Sequence, residues 1–185
     1  MARAVCGVPL SFVVAVGLTG QLAAQTTGEV DREYSIKGAF LYNFGRYVQW
    51  PDTALPKDGP PFVIGVLGTD PFGAVLDEIA VAAKVDGHPV AAKRFATLAE
   101  YTPCHILFLA AATDAQVKAA AIQRLRNAPV LLVGEEPGMA QRGAVVNFYV
   151  EQNKVRFEIN IETARQQQLK VSSKLLSLAK IVGSQ

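Results

Sequence analysis

The sequence predicts an α/β fold: a single domain whose mostly parallel central sheet is flanked by helices, with a C-terminal antiparallel hairpin and a terminal helix. Short apolar runs alternate with amphipathic segments through the middle of the chain, a pattern typical of parallel sheets. Near the end, two strand-like runs flank the turn residues Glu151-Gln152-Asn153. The 185 residues are 50% apolar and 18% charged, which fits one globular domain.

The first 24 residues have the layout of a cleaved signal peptide. Arg3 supplies a positive charge, Ala4 to Leu18 is an uncharged apolar run, and the small residues Ala23-Ala24 precede Gln25. An uncleaved N-terminal anchor remains the alternative. We expect residues 25–34 to form a flexible tail and residues 35–185 to form the domain. Cleavage would remove one of the two cysteines and leave Cys104 as the only thiol.

The first helix is predicted from about Asp31 to Trp50, and Pro51 ends it because the residue before a proline avoids helical angles. Gly38 and Gly45 are unfavourable inside a helix, so we expect them to permit close packing of the helix against the sheet. The apolar stripe of this helix consists of Ile36, Phe40, Phe44, Tyr47 and Val48.

Strands and helices then alternate after a proline-rich loop. Asp70 is predicted to cap a helix that has Pro71 in its first turn, and Thr113-Asp114 to begin another. The predicted strands are Phe62–Leu67, His88–Phe95, His105–Leu109 and Pro129–Val133. The predicted helices between them are Phe72–Ala83 and Thr113–Asn127.

The C-terminal part is predicted to be an antiparallel hairpin followed by helices. Its strands are Ala144–Val150 and Lys154–Ile161, and the second alternates apolar and polar residues, which gives it one face of each kind. Glu162–Gln168 is predicted as a short helix, and Ser172 as the cap of a last helix. That last helix carries Leu175, Leu176, Leu178, Ala179 and Val182.

The sequence gives little support for an enzyme or a metal-binding protein. The chain contains neither a G-x-S-x-G elbow nor a G-x-x-x-x-G-K-[ST] loop, and His88 and His105 lie on separate predicted strands. Cys104 and His105 are neighbours on a strand, so their side chains point to opposite faces. We interpret Cys104 as a buried, inert thiol. A net charge of +2 without a basic stripe argues against nucleic-acid binding.

The polar face of the second hairpin strand is the one candidate ligand site. Arg156 and Asn160 share this face, with Asn147 on the neighbouring strand, and Arg46 at the end of the first helix could join them. Such a face could be simple solvent exposure, a small-anion site or a partner surface. The sequence leaves these three alternatives open.

Two segments carry a resemblance to a known family. Lys37-Gly38-Ala39-Phe40-Leu41-Tyr42-Asn43-Phe44 together with Tyr47-Val48-Gln49-Trp50-Pro51 resembles the opening signature of the YfiR family. The segment Arg156-Phe157-Glu158-Ile159-Asn160 and the run from Ser172 to Ala179 resemble its closing signature. Gly68 to Gly73 fits the first strand-turn-helix of the family, and the resemblance extends from about Ser35 to Val182.

The resemblance implies a regulator in the periplasm rather than an enzyme, without a cofactor. It implies that the protein binds the periplasmic sensor part of an inner-membrane diguanylate cyclase and lowers cyclic-di-GMP synthesis and biofilm formation. It further implies a homodimer and an outer-membrane lipoprotein that sequesters the repressor. Two other classes stay open: a small-anion or small-molecule binding module using Arg46, Arg156 and Asn160, and an enzyme of unrecognised type.

Three positions depart from the family pattern. The family often pairs the cysteine that matches Cys104 with one near the first strand, and Phe62–Leu67 contains none. A Cys104–Cys104 link between two chains would require an exposed thiol. Gln168 stands where the family commonly has glycine, and Gly45-Arg46 replaces a small residue followed by lysine.

Overall fold

The computed structural model describes the backbone of residues 20–183 and the side chains of residues 28–183. Five α-helices are assigned within this range: α1 Gly20–Tyr47, α2 Val75–Ala82, α3 Ala115–Leu125, α4 Ile161–Gln166 and α5 Ser173–Leu176. The longer strands are β2 Phe62–Leu67, β4 His88–Phe95, β5 Ile106–Leu109, β6 Leu131–Gly134, β7 Val146–Glu151 and β8 Lys154–Asn160. The short strands are β1 Val48–Gln49, β3 Lys84–Val85, β9 Lys170–Val171 and β10 Lys180–Val182.

Eight strands form one sheet in the order β10-β8-β7-β6-β5-β2-β4-β3. Five neighbouring strands, β4, β2, β5, β6 and β7, run parallel to one another. Strand β8 turns back antiparallel to β7, with Val150 opposite Val155. A separate ribbon joins β1 to β9. The predicted α/β domain with a parallel sheet and an antiparallel hairpin is therefore confirmed, whereas the pattern did not predict β1, β3, β9 and β10.

Helices cover both faces of the sheet. On one face, α1 packs its aromatic residues on the hairpin, with the ring of Phe44 5.7 Å from Phe148 and 5.2 Å from Phe157. On the other face, Ala121 and Leu125 of α3 pack in a second apolar cluster. Gly38 permits the close approach of α1 to α2, because a Cβ there would lie 2.7 Å from Val75 Cγ1.

The N-terminal helix differs from its prediction in extent and in one residue of its apolar face. It begins at Gly20, so residues 28–34 are helical rather than a tail, and Glu29 accepts a hydrogen bond of 3.1 Å from Asn153. Of the predicted apolar stripe, Phe44 and Val48 are buried and Phe40 and Tyr47 pack against the core, which confirms four of its five members. Ile36 is exposed instead, and Leu41, which was not in the predicted stripe, is fully buried. Most of the expected signal peptide lies outside the described residues, and its cleavage stays a prediction.

The predicted last helix is wrong beyond its first turn. Ser172 does cap α5, since its Oγ accepts a hydrogen bond of 3.3 Å from the Leu175 amide, but α5 ends at Leu176. The chain then forms β10, which places Ile181 opposite Ile159 of β8. The open edge of β8 offers ladder hydrogen bonds to these residues, and that gain outweighs the helical spacing.

The start of α2 also differs from its prediction. Asp70 Oδ1 accepts a hydrogen bond of 2.8 Å from the Phe72 amide, which closes a turn rather than capping the helix. The helix begins at Val75, after Ala74 in the N-cap position. The α3 prediction is confirmed, since Asp114 caps this helix through the amides of Gln116 and Val117.

Candidate functional site

The structure assigns structural roles to part of the predicted polar face of β8. Asn160 is fully buried and caps α4, its Oδ1 accepting from the Thr163 amide at 3.1 Å and its Nδ2 donating to the Ala140 carbonyl at 2.9 Å. Asn147 donates to Glu158 Oε1 at 3.3 Å across the hairpin. Arg156 is exposed near the hairpin turn. This face therefore combines an internal hydrogen-bond network with one solvent-exposed arginine.

Arg46 lies on the opposite side of the sheet from that face. It is exposed at the C-terminal end of α1, with its guanidinium carbon 5.8 Å from the ring centres of both Tyr42 and Tyr47. Helix α1 packs on the side of β8 that Phe157 faces, with the ring of Phe44 5.2 Å from that of Phe157. Because successive side chains of a strand point to opposite faces, Arg156 points away from α1. The structure therefore does not bring Arg46 together with Arg156 and Asn160.

Cys104 is a buried free thiol whose chemistry is suppressed. Burial raises its pKa to about 12, so at neutral pH the sulfur remains protonated and is a poor nucleophile. A Cβ added at Gly65 of β2 would lie 3.2 Å from Cys104 Sγ. Gly65 is thus the position in the first long strand where a cysteine could bridge to Cys104, and burial prevents a link between two chains.

The side chains of both histidines contact backbone groups. His105 Nδ1 accepts a hydrogen bond of 2.9 Å from the Val63 amide, and its Nε2 donates to the Ala54 carbonyl at 3.1 Å. His88 Nδ1 lies 3.0 Å from the Pro60 carbonyl oxygen. Within the described part of the chain, no group of three or more potential ligands could hold a metal ion.

The carboxyl end of the parallel strands is the usual ligand-binding end of an open α/β sheet. In this protein, ion pairs between charged side chains occupy much of that end of the sheet. Lys37 and Lys118 are each only 4% exposed. Lys37 Nζ lies 2.6 Å from Glu135 Oε2, and Lys118 forms an ion pair with Glu136. The loop after β6 is thereby held to α1 on one side and to α3 on the other.

Further contacts tighten this end. Tyr34 donates to Glu135 Oε1 at 3.3 Å, and burial together with Glu135 raises the pKa of this tyrosine above its usual value. Arg94 pairs with Asp70 and Asp77, and its hydrogen bonds lower the pKa of Asp77. A depression of about 420 Å³ remains between the loops that follow β2, β4 and β5.

The sequence interpretation did not identify the two lysine–glutamate pairs. One signal was available, because Lys37 is the single cation on the face of α1 that Leu41 and Phe44 occupy. The adjacent Glu135-Glu136 directly follows a buried strand, which was a second available signal. Pairing these residues required knowledge of which loop lies beside α1.

A shallow groove between α1 and the β7–β8 hairpin exposes apolar side chains to solvent. We call it the α1–hairpin groove; it encloses about 350 Å³. Ile36 is 38% exposed and Val150 is 51% exposed, with Phe40 and Val155 half-buried between them. Charged side chains flank it: Glu29, Arg32, Glu33 and Lys154. An apolar strip with a charged rim is the composition of a protein-binding surface.

A larger cavity, of about 800 Å³, lies at the opposite, amino end of the sheet beside Trp50. The sequence interpretation did not identify it either, because its walls come from three separate parts of the chain. No helix within the described residues has both the length and the apolarity needed to cross a membrane.

Comparison with known proteins places the domain in one family. A family model described as YfiR/HmsC-like matches residues 34–180, which is most of the chain. None of the curated proteins matches the chain significantly. Proteins of the matching family are periplasmic and regulatory rather than catalytic. The match includes both segments that carry the resemblance, the C-terminal half of α1 with the residues after it and the run through α5, and the chain belongs to the YfiR/HmsC-like family.

Proposed function

We propose that this protein is a periplasmic repressor that binds the periplasmic part of an inner-membrane diguanylate cyclase and thereby lowers cyclic-di-GMP synthesis and biofilm formation. The observation that carries the proposal is the family match over residues 34–180, which spans almost all of the described fold. The predicted signal peptide supplies the route of export.

The reactive side chains of the described fold support binding rather than catalysis. Cys104 has a raised pKa, His105 bridges two backbone groups, and Lys37 and Lys118 are held in ion pairs. A nucleophile or general base needs a side chain that can reach a substrate in the correct protonation state. These groups instead fix the positions of loops and helices.

Repression then operates as a population shift. A sensor domain with an active and an inactive state is held inactive by a protein that binds the inactive state more tightly. Moving such an equilibrium from 1:99 to 99:1 requires about 10⁴-fold tighter binding to the inactive state. An extended surface with apolar anchors is suited to supply that difference.

The α1–hairpin groove is the surface we assign to the cyclase. It exposes Ile36 and Val150 on two rigid elements, and the Glu29–Asn153 hydrogen bond holds those elements together. Burial of exposed apolar side chains at the centre of a contact supplies most of its affinity. A homodimer and an outer-membrane lipoprotein that sequesters the repressor complete the proposal, both on the strength of the family.

The second candidate function, a small-anion module built from Arg46, Arg156 and Asn160, lacks a common site. Arg46 lies on the side of the sheet that Phe157 faces, whereas Arg156 points to the other side. Asn160 is buried in the cap of α4. The geometry favours the protein-binding surface over this module.

Deletion of the gene tests the proposed function in cells that contain the partner cyclase. We expect cellular cyclic-di-GMP and surface attachment to rise, and expression of the full chain to restore both. A matched chain without residues 1–24, which stays in the cytoplasm, is expected to restore neither. Unchanged cyclic-di-GMP after deletion, or full restoration by the chain without residues 1–24, would contradict the proposal.

A further inference from the structure

A cavity of about 800 Å³ lies at the amino ends of β2 and β4, at the end of the sheet opposite the two lysine–glutamate pairs. We propose that this amino-end cavity binds a small planar aromatic acid that carries a hydroxyl group. Its volume of about 800 Å³ accommodates a small molecule with ordered water. The inference concerns the purified protein alone and does not rest on the proposed binding of a cyclase.

The wall of the cavity offers an apolar surface for a flat ligand. Trp50 lines it beside Leu55 and Pro51, and the indole is held edge-on to Phe62, with ring centres 5.1 Å apart. An aromatic ring stacks favourably on a fixed aromatic neighbour. Trp50 is also the only tryptophan of the chain, so its signals report on this cavity without interference.

One polar atom of a wall residue lacks a partner. The indole Nε1 of Trp50 is buried with no hydrogen-bond acceptor among the described residues. His88 lines the cavity with its Nδ1 held by the Pro60 carbonyl. Because a carbonyl only accepts, Nδ1 carries the hydrogen, and Nε2 of the neutral ring is an acceptor for a ligand hydroxyl.

The charges at the rim select a mono-anion with a donor group. Lys57 and Lys170 form no ion pair with any described residue, and neither do Asp52 and Asp86. The two lysines attract a carboxylate, which can bind several donors at once. The two aspartates repel a second negative charge and accept from a hydroxyl. A singly charged hydroxy-acid satisfies both sets.

Backbone strain is concentrated at the same rim. Of the four described non-glycine residues with positive φ, Asp86 at 48° and Gln168 at 59° both line the cavity. Glycine adopts this conformation without strain, whereas a residue with a side chain does not. Strained positions that persist are concentrated at binding sites. Gln168 therefore places a side chain in the wall at the expense of stability.

The test titrates the purified chain with 4-hydroxybenzoate and follows the fluorescence and the single indole N–H resonance of Trp50. We expect saturable changes with a Kd of about 1 mM, which is ordinary for a ligand of about ten non-hydrogen atoms. The alcohol analogue, 4-hydroxybenzyl alcohol, lacks the carboxylate and is expected to bind at least about tenfold more weakly. A Trp50 resonance that does not move at saturating concentrations would overturn the inference.

Matched variants separate binding from folding. Lys57→Gln and Lys170→Gln are each expected to weaken binding several-fold, whereas Lys154→Gln, on the α1–hairpin groove, leaves it unchanged. Gln168→Gly is expected to raise Tm, because it relieves strain, while it weakens binding. Equal weakening by Lys154→Gln and Lys57→Gln, or undiminished binding by Lys57→Gln and Lys170→Gln combined, would also overturn the inference.

Discussion

The two ends of the parallel strands use their charged residues in opposite ways. At the carboxyl end, Glu135 and Glu136 are paired with the buried Lys37 and Lys118. At the amino end, the charged residues around Trp50 have no ion pairs with the described residues and surround a cavity of about 800 Å³. An open α/β sheet ordinarily binds its ligand at the carboxyl end. In this chain ion pairs fill much of that end, where a depression of about 420 Å³ remains, and the cavity at the amino end is larger.

The two ends therefore differ in whether their charged residues are used within the fold. Lys37 of α1 and Lys118 of α3 fix the loop after β6 through ion pairs. A buried ion pair of this kind contributes specificity of position more reliably than it contributes stability, because desolvation opposes the attraction. The Lys37–Glu135 ion pair fixes α1, which forms one wall of the α1–hairpin groove, to the loop after β6.

The largest expected effect comes from removing the buried ion pair between Lys37 and Glu135. Lys37→Met leaves the Glu135 carboxylate buried without its cation and should lower the free energy of unfolding by about 3–5 kcal/mol. Lys118→Met should have a smaller effect, because Glu136 is 33% exposed and Glu135 only 3% exposed. Urea denaturation measures both. A smaller loss for Lys37→Met than for Lys118→Met would contradict the account of the carboxyl end.

An engineered disulfide bond in the core is expected to have the next largest effect. Gly65→Cys places a second thiol beside Cys104, and oxidation should raise the free energy of unfolding by about 2–4 kcal/mol through the chain entropy of the closed loop. The Phe95 ring must shift, since a Cβ at position 65 would lie 2.8 Å from it. Thermal unfolding with and without reductant measures the gain, and Gly65→Ser serves as the control. Failure of the two thiols to bond would show that β2 and Cys104 are farther apart than described.

The amino end should respond to pH through His105. Burial lowers the pKa of His105 below its usual 6.5, and its Nδ1 must stay unprotonated to accept from Val63. The unfolded chain therefore takes up the proton first, so the free energy of unfolding falls as the pH drops below 6.5, by at most about 1.4 kcal/mol per pH unit. Denaturation between neutral and mildly acidic pH should show this slope, and His105→Gln should reduce it. An equal slope in both proteins would exclude His105 as its source.

The smallest effect is expected at the exposed arginines. Arg46→Ala and Arg156→Ala should each change the free energy of unfolding by less than about 0.5 kcal/mol, because neither side chain forms an ion pair with a described residue. Asn160→Ala serves as the contrast, since it removes the cap of α4 and should be destabilising by about 1 kcal/mol or more. Thermal unfolding of the three variants measures the difference. Equal losses at Arg156 and Asn160 would contradict the roles assigned to them.

Local patterns were sufficient to predict most of the architecture. Continuous apolar runs gave β2, β5 and β6, and the alternation in β8 correctly placed Phe157 and Ile159 on the buried side. The cap residues Asp114 and Ser172 were also identified from sequence. These features depend on residues that are close in the chain, so spacing alone determines them.

The rest depended on contacts between distant segments. Leu178 and Val182 have helical spacing, yet the unpaired edge of β8 recruits residues 180–182 into a strand. Arg156 and Asn160 share a face, yet only Asn160 lies over the start of α4, which makes it a cap. The sequence predicts Trp50 as the last residue of a helix. Its place in the cavity wall depends on the loops and strand β9 that fold around it.

The most direct test of the central claim is the affinity of the purified protein for the periplasmic part of its cyclase. Val150→Arg places a charge in the α1–hairpin groove, and Val81→Arg places the same charge on α2, where Val81 is 90% exposed. We predict that Val150→Arg weakens binding by about tenfold or more, equivalent to about 1.4 kcal/mol, while Val81→Arg leaves the Kd unchanged. Absence of binding by the unaltered chain, or equal loss in the two variants, would contradict the account.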